Sequence, residues 1–282
     1  MHIIEIPTKN DSIKATIFSA NAQPSAVVII ATATGVKQSF YKKFAAFVSN
    51  NKVIVITFDY LGIGLSLQQP IQQLTINASD WGRIDLEAVI QYAFTNYPDV
   101  PINVLGHSIG GQLIGLAKSS TKVNKLILVA AQSGYWRFWK GAAKIRMWAN
   151  WYLLFPLFIR LFGYMPSKKI SSMENLPKLV AKQWSSWGRK PNYLFDDTSN
   201  NELFFDTISI DVFAISIDDD VFAPKQSVDW FTAKYSNANI KTLHIQPKDY
   251  GTKHIGHFGI FKEKFAESIW PILVNEIQKT VD

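Results

Sequence analysis

The stretch VLGHSIGG at positions 104–111 follows the apolar segment PIN and leads into QLIGLAKSS, a run of small and apolar residues with helical spacing. Within it Gly106, His107, Ser108, Ile109 and Gly110 spell G-x-S-x-G. A serine on a sharp strand-to-helix turn takes strained backbone angles, and its neighbours two positions away must be small because strand and helix pass so close together. Held there, the Ser108 hydroxyl points out of the sheet edge, and the Ile109 amide at a helix N-terminus is placed to stabilise an oxyanion. The same pentapeptide also suits ordinary packing or phosphate binding. Its reading rests on what surrounds it.

Short β-rich apolar runs recur along the chain at 26–32, 53–59, 102–107, 125–131 and 211–217. Runs that are apolar on both faces suit strands of a buried parallel sheet. Between them, 37–50, 79–97, 109–120 and 225–236 have helical spacing, which gives repeated βα units. Two alternating segments near the start, HIIEI and IKATIFSA, read as an antiparallel edge hairpin. A strand at 240–246 and a helix from about 259 to 279 close the series. The fold class is α/β, with a mostly parallel central sheet and helices on both faces.

A compositional island interrupts this pattern. Between Gly134 and Asn200 there are eleven Lys or Arg against three acids, and six of the nine tryptophans, in a chain of 282 residues whose net charge is +7. The island replaces one connecting helix, so we expect a core domain formed by 1–132 and 206–282 with a helical cap inserted over 133–205. Its apolar centre, MWANWYLLFPLFIRLFGYM at 147–165, is long enough to raise a membrane span, but Pro156, Arg160 and Asn150 argue against one. The cap aromatics have three open readings: packing of a small helical subdomain, lining of an apolar acyl pocket over Ser108, or peripheral contact of a basic aromatic face with anionic membrane lipid. No nucleic-acid-binding module is recognisable, so no nucleic-acid partner is expected. The absence of cysteine excludes disulfides, thiolate metal sites and a cysteine nucleophile. The N-terminus shows no basic flank followed by an apolar segment and cleavage site, and the expected location is cytoplasmic.

A serine nucleophile needs a general base within hydrogen-bond reach and an acid to orient that base. After Ser108 the chain offers SIDDDVFAP at 216–224, just past one strand, and HIGHFGIF at 254–261, just before the last helix. In a parallel sheet the C-terminal strand ends share one rim, where such loops converge. In this order of nucleophile, acid and histidine the chain resembles the α/β-hydrolase superfamily, over nearly its whole length outside the island.

That resemblance implies a set of roles. Asp220, four residues before Pro224, occupies the place of the family acid, with Asp219 as the alternative. Gly256, His257, Phe258 and Gly259 match the family's GHFG-like histidine motif, with His254 second. The family's oxyanion loop, often His-Gly-x, corresponds to Thr34, Gly35 and Val36, which makes the Val36 backbone amide the second donor beside that of Ile109. FDYLGIGLS at 58–66 resembles a family turn, with Leu61 where arginine is usual. The closest branch resembled is a set of predicted bacterial serine hydrolases with a Trp-rich cap.

The catalytic set expected is therefore Ser108, Asp220 and His257, with no metal and no cofactor. The expected substrate is a small-molecule ester or thioester with an apolar acyl part, cleaved by a carboxylesterase- or lipase-like serine hydrolase. An acyltransferase using the same residues and a non-catalytic binding protein are the alternatives. His107 reads as structural, pointing away from the rim by strand alternation. Asp59 and Asp85 read as turn and helix-cap residues, and Asp218 as the end of its strand.

Overall fold

The computed structural model describes residues 1–9, 11–197, 199 and 202–279. The alternating N-terminal segments pair antiparallel as β1 (His2–Pro7) and β2 (Ser12–Phe18). They join β3 (Ala26–Ala31), β4 (Val53–Phe58), β5 (Ile102–His107), β6 (Lys125–Val129), β7 (Asp211–Ile217) and β8 (Asn239–Ile245) in one sheet of order β1-β2-β4-β3-β5-β6-β7-β8. β2 meets β4 antiparallel, and all the later pairs are parallel. Every residue of β3, β4, β5 and β6 is buried, as strands sandwiched between helical layers must be.

Alternate residues of β3 feed two separate cores. Val27 and Ile29 pack with Trp81, Leu113 and Phe231, whereas Val28 and Ile30 pack with Phe44, Phe265 and Trp270 on the other face. The helices are α1 (Lys42–Ser49), α2 (Ala78–Asp80), α3 (Glu87–Asn96), α4 (Ile109–Leu113), α5 (Gly141–Ala149), α6 (Phe155–Phe162), α7 (Lys178–Arg189), α8 (Lys225–Thr232), α9 (Gly256–Gly259) and α10 (Trp270–Gln278). A π-helical turn, Trp81–Leu86, links α2 to α3. Among the described residues no helix is long and apolar enough to cross a membrane.

Several helices are shorter than their spacing predicts, and two fall furthest short. The pattern at 109–120 forms only α4 before breaking into 3₁₀ turns. The cause is Gly115, where a Cβ would lie 2.5 Å from the Phe205 ring and whose carbonyl accepts the Phe204 amide at 2.7 Å. The final helix starts at Trp270, not near 259, because Pro271 in its first turn has no amide to continue an earlier helix. The residues so released form α9, which carries His257.

Between β6 and β7 the chain leaves the sheet and forms α5, α6 and α7; positions 198, 200 and 201 of this stretch lie outside the described residues. A π-helical turn, Asn150–Leu154, joins α5 to α6. Met147, Trp151, Phe155 and Ile159 are buried along the resulting rod, and they belong to the same core as Ile29 and Leu113. In a pure α-helix residues four apart drift around the axis; the wider π turn takes up that drift and keeps the four in one stripe.

Two buried carboxylates lock the loops at the C-terminal ends of β3 and β4. Asp59 accepts the amides of Gln38 (2.7 Å) and Leu65 (2.9 Å), and Asp85 accepts that of Leu61 (2.8 Å). Burial pushes the Asp85 carboxyl up to about 8, far above the unfolded value of about 3.9. A folded-state pKa raised in this way gives a stability contribution that is full at acidic pH and is lost as pH rises through that window. Asp85→Asn keeps an acceptor for the Leu61 amide and removes the loss. In calorimetric unfolding the variant should gain on wild type by up to about 1.4 kcal/mol per pH unit between about pH 4 and 8. A difference that does not change with pH contradicts a neutral buried carboxyl.

Candidate active site

Ser108 occupies the single residue between β5 and α4 and has φ 55° and ψ −121°. Two glycines make that turn feasible. A Cβ on Gly106 would lie 2.4 Å from the Gly111 Cα, and one on Gly110 would lie 2.1 Å from the Ala31 carbonyl oxygen. Any side chain there would separate strand from helix, so the strained serine exists because its flanks are bare. The first intrahelical bonds run from Gly111 (3.0 Å) and Gln112 (3.2 Å) to the Ser108 carbonyl, which leaves the Ile109 amide without an intrahelical acceptor.

Asp220 and His257 come together. His257 Nδ1 and Asp220 Oδ2 lie 2.7 Å apart, with the Asp220 side chain fully buried. The other carboxylate oxygen accepts the amides of Phe222 (2.8 Å) and Ala223 (3.0 Å). In this geometry Nδ1 is the ring nitrogen that faces the carboxylate, and Nε2 is the one left to face the rim. Ser108 and His257 each retain 6% of their surface exposed, and no hydrogen bond closes between the Ser108 hydroxyl and the imidazole in the free site. Catalytic hydrogen bonds often tighten only around substrate.

Asp219, the alternative acid, has a different environment. Its two oxygens accept the amides of Gly256 and Ile255, both at 3.0 Å, and it pairs with the exposed His254. Burial works to raise its pKa, but those amides and His254 outweigh it and hold the carboxyl below its usual range. Asp219 thus anchors the loop that presents His257, and His254 lies on the outside of that clamp. Asp218 is the first residue after β7, its amide donating to the Ile245 carbonyl (2.9 Å). Ser216, His244 and Asp218 form a second cluster of the same residue types, with Ser216 and His244 joined at 2.8 Å. Ser216 lies within β7, and the adjacent cavity of about 20 Å³ has room for little more than one water. No substrate fits there.

The loop after β3 departs from the simple expectation. The Val36 amide donates to the Ala33 carbonyl at 3.0 Å, closing a turn with Gly35 at φ 62°. The Thr34 hydroxyl, at the position where the family carries histidine, is buried without a hydrogen-bond partner. The segment between β6 and β7 is tied to this loop, the Glu174 amide donating to the Gly35 carbonyl at 2.7 Å. A second link runs from α7: Trp184 Nε1 donates to the Tyr193 hydroxyl (2.8 Å), which donates to Gln112 Oε1 (2.9 Å) in α4.

Sequence reasoning missed Tyr41. The Ala33 amide donates to its hydroxyl (3.0 Å), the hydroxyl lies 2.7 Å from His107 Nδ1, and His107 Nε2 lies 2.9 Å from the His257 carbonyl. These bonds are all satisfied by one assignment: Tyr41 donates to Nδ1, and His107 carries its proton on Nε2. Burial, with the nearby His257 second, holds the His107 pKa well below its usual value and keeps the ring neutral. His107 is buried with both ring nitrogens bonded, which fits a structural role, but it does not point away from the site: its ring lies 4.9 Å from that of His257 and ties the loop after β3 to the His257 backbone. In the sequence Tyr41 shows only as an aromatic on the inner face of a short helix.

This sheet order, with a nucleophile-type turn after β5 and an Asp–His pair from the loops after β7 and β8, defines an α/β-hydrolase fold. Residues 22–202 match the model of the family described as serine aminopeptidase, S33, and the chain belongs to that family of α/β-hydrolases. Among solved structures, a soluble variant of monoglyceride lipase from Saccharomyces cerevisiae with a substrate analogue aligns over 100% of this chain and 96% of its own, at 11% identity and TM-score 0.69. An esterase from Exiguobacterium antarcticum aligns over 98% and 99%, at 16% identity and TM-score 0.63. Est1E from Butyrivibrio proteoclasticus with ferulic acid aligns over 98% and 96%, at 14% identity and TM-score 0.60. No functionally curated protein matches the chain in sequence. Among the described residues no group of three or more His, Cys, Asp or Glu side chains is arranged to hold a metal ion.

Tyr41→Phe tests the link between the loop and His257. It strands the Ala33 amide and His107 Nδ1 in the interior, at about 1–3 kcal/mol for each group left unsatisfied. Thermal unfolding should register that loss, and the rate of Ser108 phosphonylation should fall by more than in an equally destabilised core variant, Val48→Ala. Equal labelling rates in the two variants make Tyr41 a packing residue alone.

Proposed function

We propose that this protein is a serine hydrolase of carboxylic esters or thioesters with an apolar acyl part, working through an acyl-enzyme intermediate. The observation that carries the proposal is the buried 2.7 Å pair of Asp220 and His257 on the same rim as a serine held at φ 55°. His257 Nε2 takes the Ser108 proton as Oγ attacks the carbonyl carbon. Asp220 holds the ring in the required tautomer and stabilises the imidazolium that forms. The oxyanion is held by the Ile109 amide and by a donor from the loop at 33–36. That second donor is the Val36 amide released from Ala33, with the unpaired Thr34 hydroxyl beside it. His257 then protonates the departing alcohol or thiol, and water attacks the acyl-enzyme by the reverse path.

The surroundings support an apolar acyl group. Val221, Phe222 and Phe40 are 57%, 48% and 37% exposed. The rings of Phe222 and Phe258 lie 5.6 Å and 4.9 Å from that of His257. Apolar rings against His257, with further exposed apolar side chains in the same loops, suit contact with an apolar ligand. The segment 133–205, bonded to the loop at Gly35 and to α4 through Gln112, acts in this reading as the cap over the acyl site. The esterase and lipase named above give the same reading by analogy of fold.

A fluorophosphonate probe should add one adduct to wild type and none to Ser108→Ala, read by intact mass. On nitrophenyl esters of graded chain length, Asp220→Asn should reduce turnover by about 10²-fold or more. Asp219→Asn, which loosens the loop and leaves the acid in place, should reduce it by roughly tenfold or less, within the range of a lost structural hydrogen bond. Wild type that takes no label, or two aspartates of equal effect, overturns the assignment.

A further inference from the structure

The rod formed by α5, the π turn and α6 is apolar on two opposite sides. Met147, Trp151, Phe155 and Ile159 face inward and are buried. Ile145, Leu153, Leu157 and Leu161 are each two residues removed from that stripe, hence on the far side of the helix. They are 69%, 53%, 48% and 64% exposed. A helix apolar all round normally sits inside a protein or a membrane. Here the outer side lies bare from Ile145 to Leu161, about 24 Å at 1.5 Å per residue.

The charge around that side has one sign. Lys140, Arg146, Arg160, Lys168 and Lys169 are exposed along it, and Glu174 is the sole acid between Gly134 and Phe195. Glu174 is already engaged by Lys168 (2.7 Å) and Lys37 (3.6 Å). Cations lie on aromatic faces at the margins: Lys144 is 5.4 Å from the Trp136 ring and Lys169 is 4.8 Å from that of Phe162. An open groove of about 270 Å³ lies between Trp136, Lys144, Ile145 and Trp148. Its walls are hydrocarbon and aromatic, with one ammonium beside them.

We propose that this outer side of the rod is a docking surface for a lipid bilayer carrying anionic headgroups. Ile145, Leu153, Leu157 and Leu161 enter the boundary between headgroups and acyl chains. Lys144, Arg146, Arg160, Lys168 and Lys169 meet the phosphates, and the groove between Trp136 and Trp148 accepts part of one lipid chain. An apolar helical face framed by basic side chains and interfacial aromatics is what binding in the plane of a membrane requires. A second copy of the chain is disfavoured on this surface, because it would bring two strongly basic faces together.

Flotation with vesicles tests this, using phosphatidylcholine alone and an equimolar mixture with phosphatidylglycerol. Wild type should float with the mixed vesicles, stay largely behind with phosphatidylcholine, and be released by salt. The variant Leu153→Gln, Leu157→Gln, Leu161→Gln should lose roughly tenfold or more in affinity, as should Arg146→Glu, Arg160→Glu. All these side chains are exposed, so both variants should keep the wild-type unfolding temperature. Ser108→Ala should bind as wild type does, which separates this surface from the catalytic reading. Wild type that ignores the mixed vesicles, or a leucine variant that still binds them fully, overturns the proposal. So does a wild-type dimer that the leucine variant converts to monomer in sedimentation, since a second copy then covers the face.

Discussion

Everything at the rim depends on how closely β5 approaches α4. With 2.4 Å separating a hypothetical Gly106 Cβ from Gly111, and 2.1 Å separating one on Gly110 from the Ala31 carbonyl, the turn tolerates no side chain on either flank. Ser108 therefore sits at φ 55°, a conformation costing of order 1–3 kcal/mol. The surrounding structure holds it: β5 is buried along its whole length and paired on both edges, with β3 and with β6. In the reading proposed here, that strain aims an ordinary hydroxyl at the rim where the loops after β3, β7 and β8 meet.

The other parts of the site are bound to that turn through buried hydrogen bonds. Asp219 and Asp220 are adjacent and divide two tasks: one clamps the backbone at Ile255 and Gly256, and the other holds the His257 ring. From the opposite side, Ala33, Tyr41 and His107 form a directional set of bonds ending on the His257 carbonyl. In a low-dielectric interior such a set is rigid when each member is satisfied. The segment between β6 and β7 joins the same framework through Glu174 to Gly35 and through Tyr193 to Gln112. Its inner side thereby shares the core of the sheet, and its bare, basic outer side is the face proposed here to meet anionic lipid.

The strands were legible because burial on both faces writes continuous Val, Ile and Leu runs, and β3 to β7 lie where those runs predict. The tight turn at Ser108 was legible because its glycines answer a steric demand that few other settings make. The spacing to Pro224 already favours Asp220 over Asp219; the coordinates add that Asp220 meets the His257 ring while Asp219 bonds the backbone at Ile255 and Gly256. The early end of α4 depends on Phe205 meeting Gly115, a contact between residues remote in the chain, whereas the late start of α10 follows from Pro271, which the helical pattern around it conceals. Tyr41 left no motif, since its hydroxyl acts through tertiary partners. The Val36 amide, expected as a free donor, is turned toward Ala33 by the Gly35 bend, a local geometry that the pair Thr34-Gly35 does not announce.

A crystal structure of the phosphonylated protein tests the central claim most directly. The account predicts phosphorus on Ser108 Oγ, its non-ester oxygen about 2.7–3.1 Å from the Ile109 amide and from one donor of the loop at 33–36, and His257 Nε2 turned toward the leaving-group side. Phosphorus on another residue, or an adduct oxygen directed away from Ile109 with His257 detached from Asp220, contradicts it.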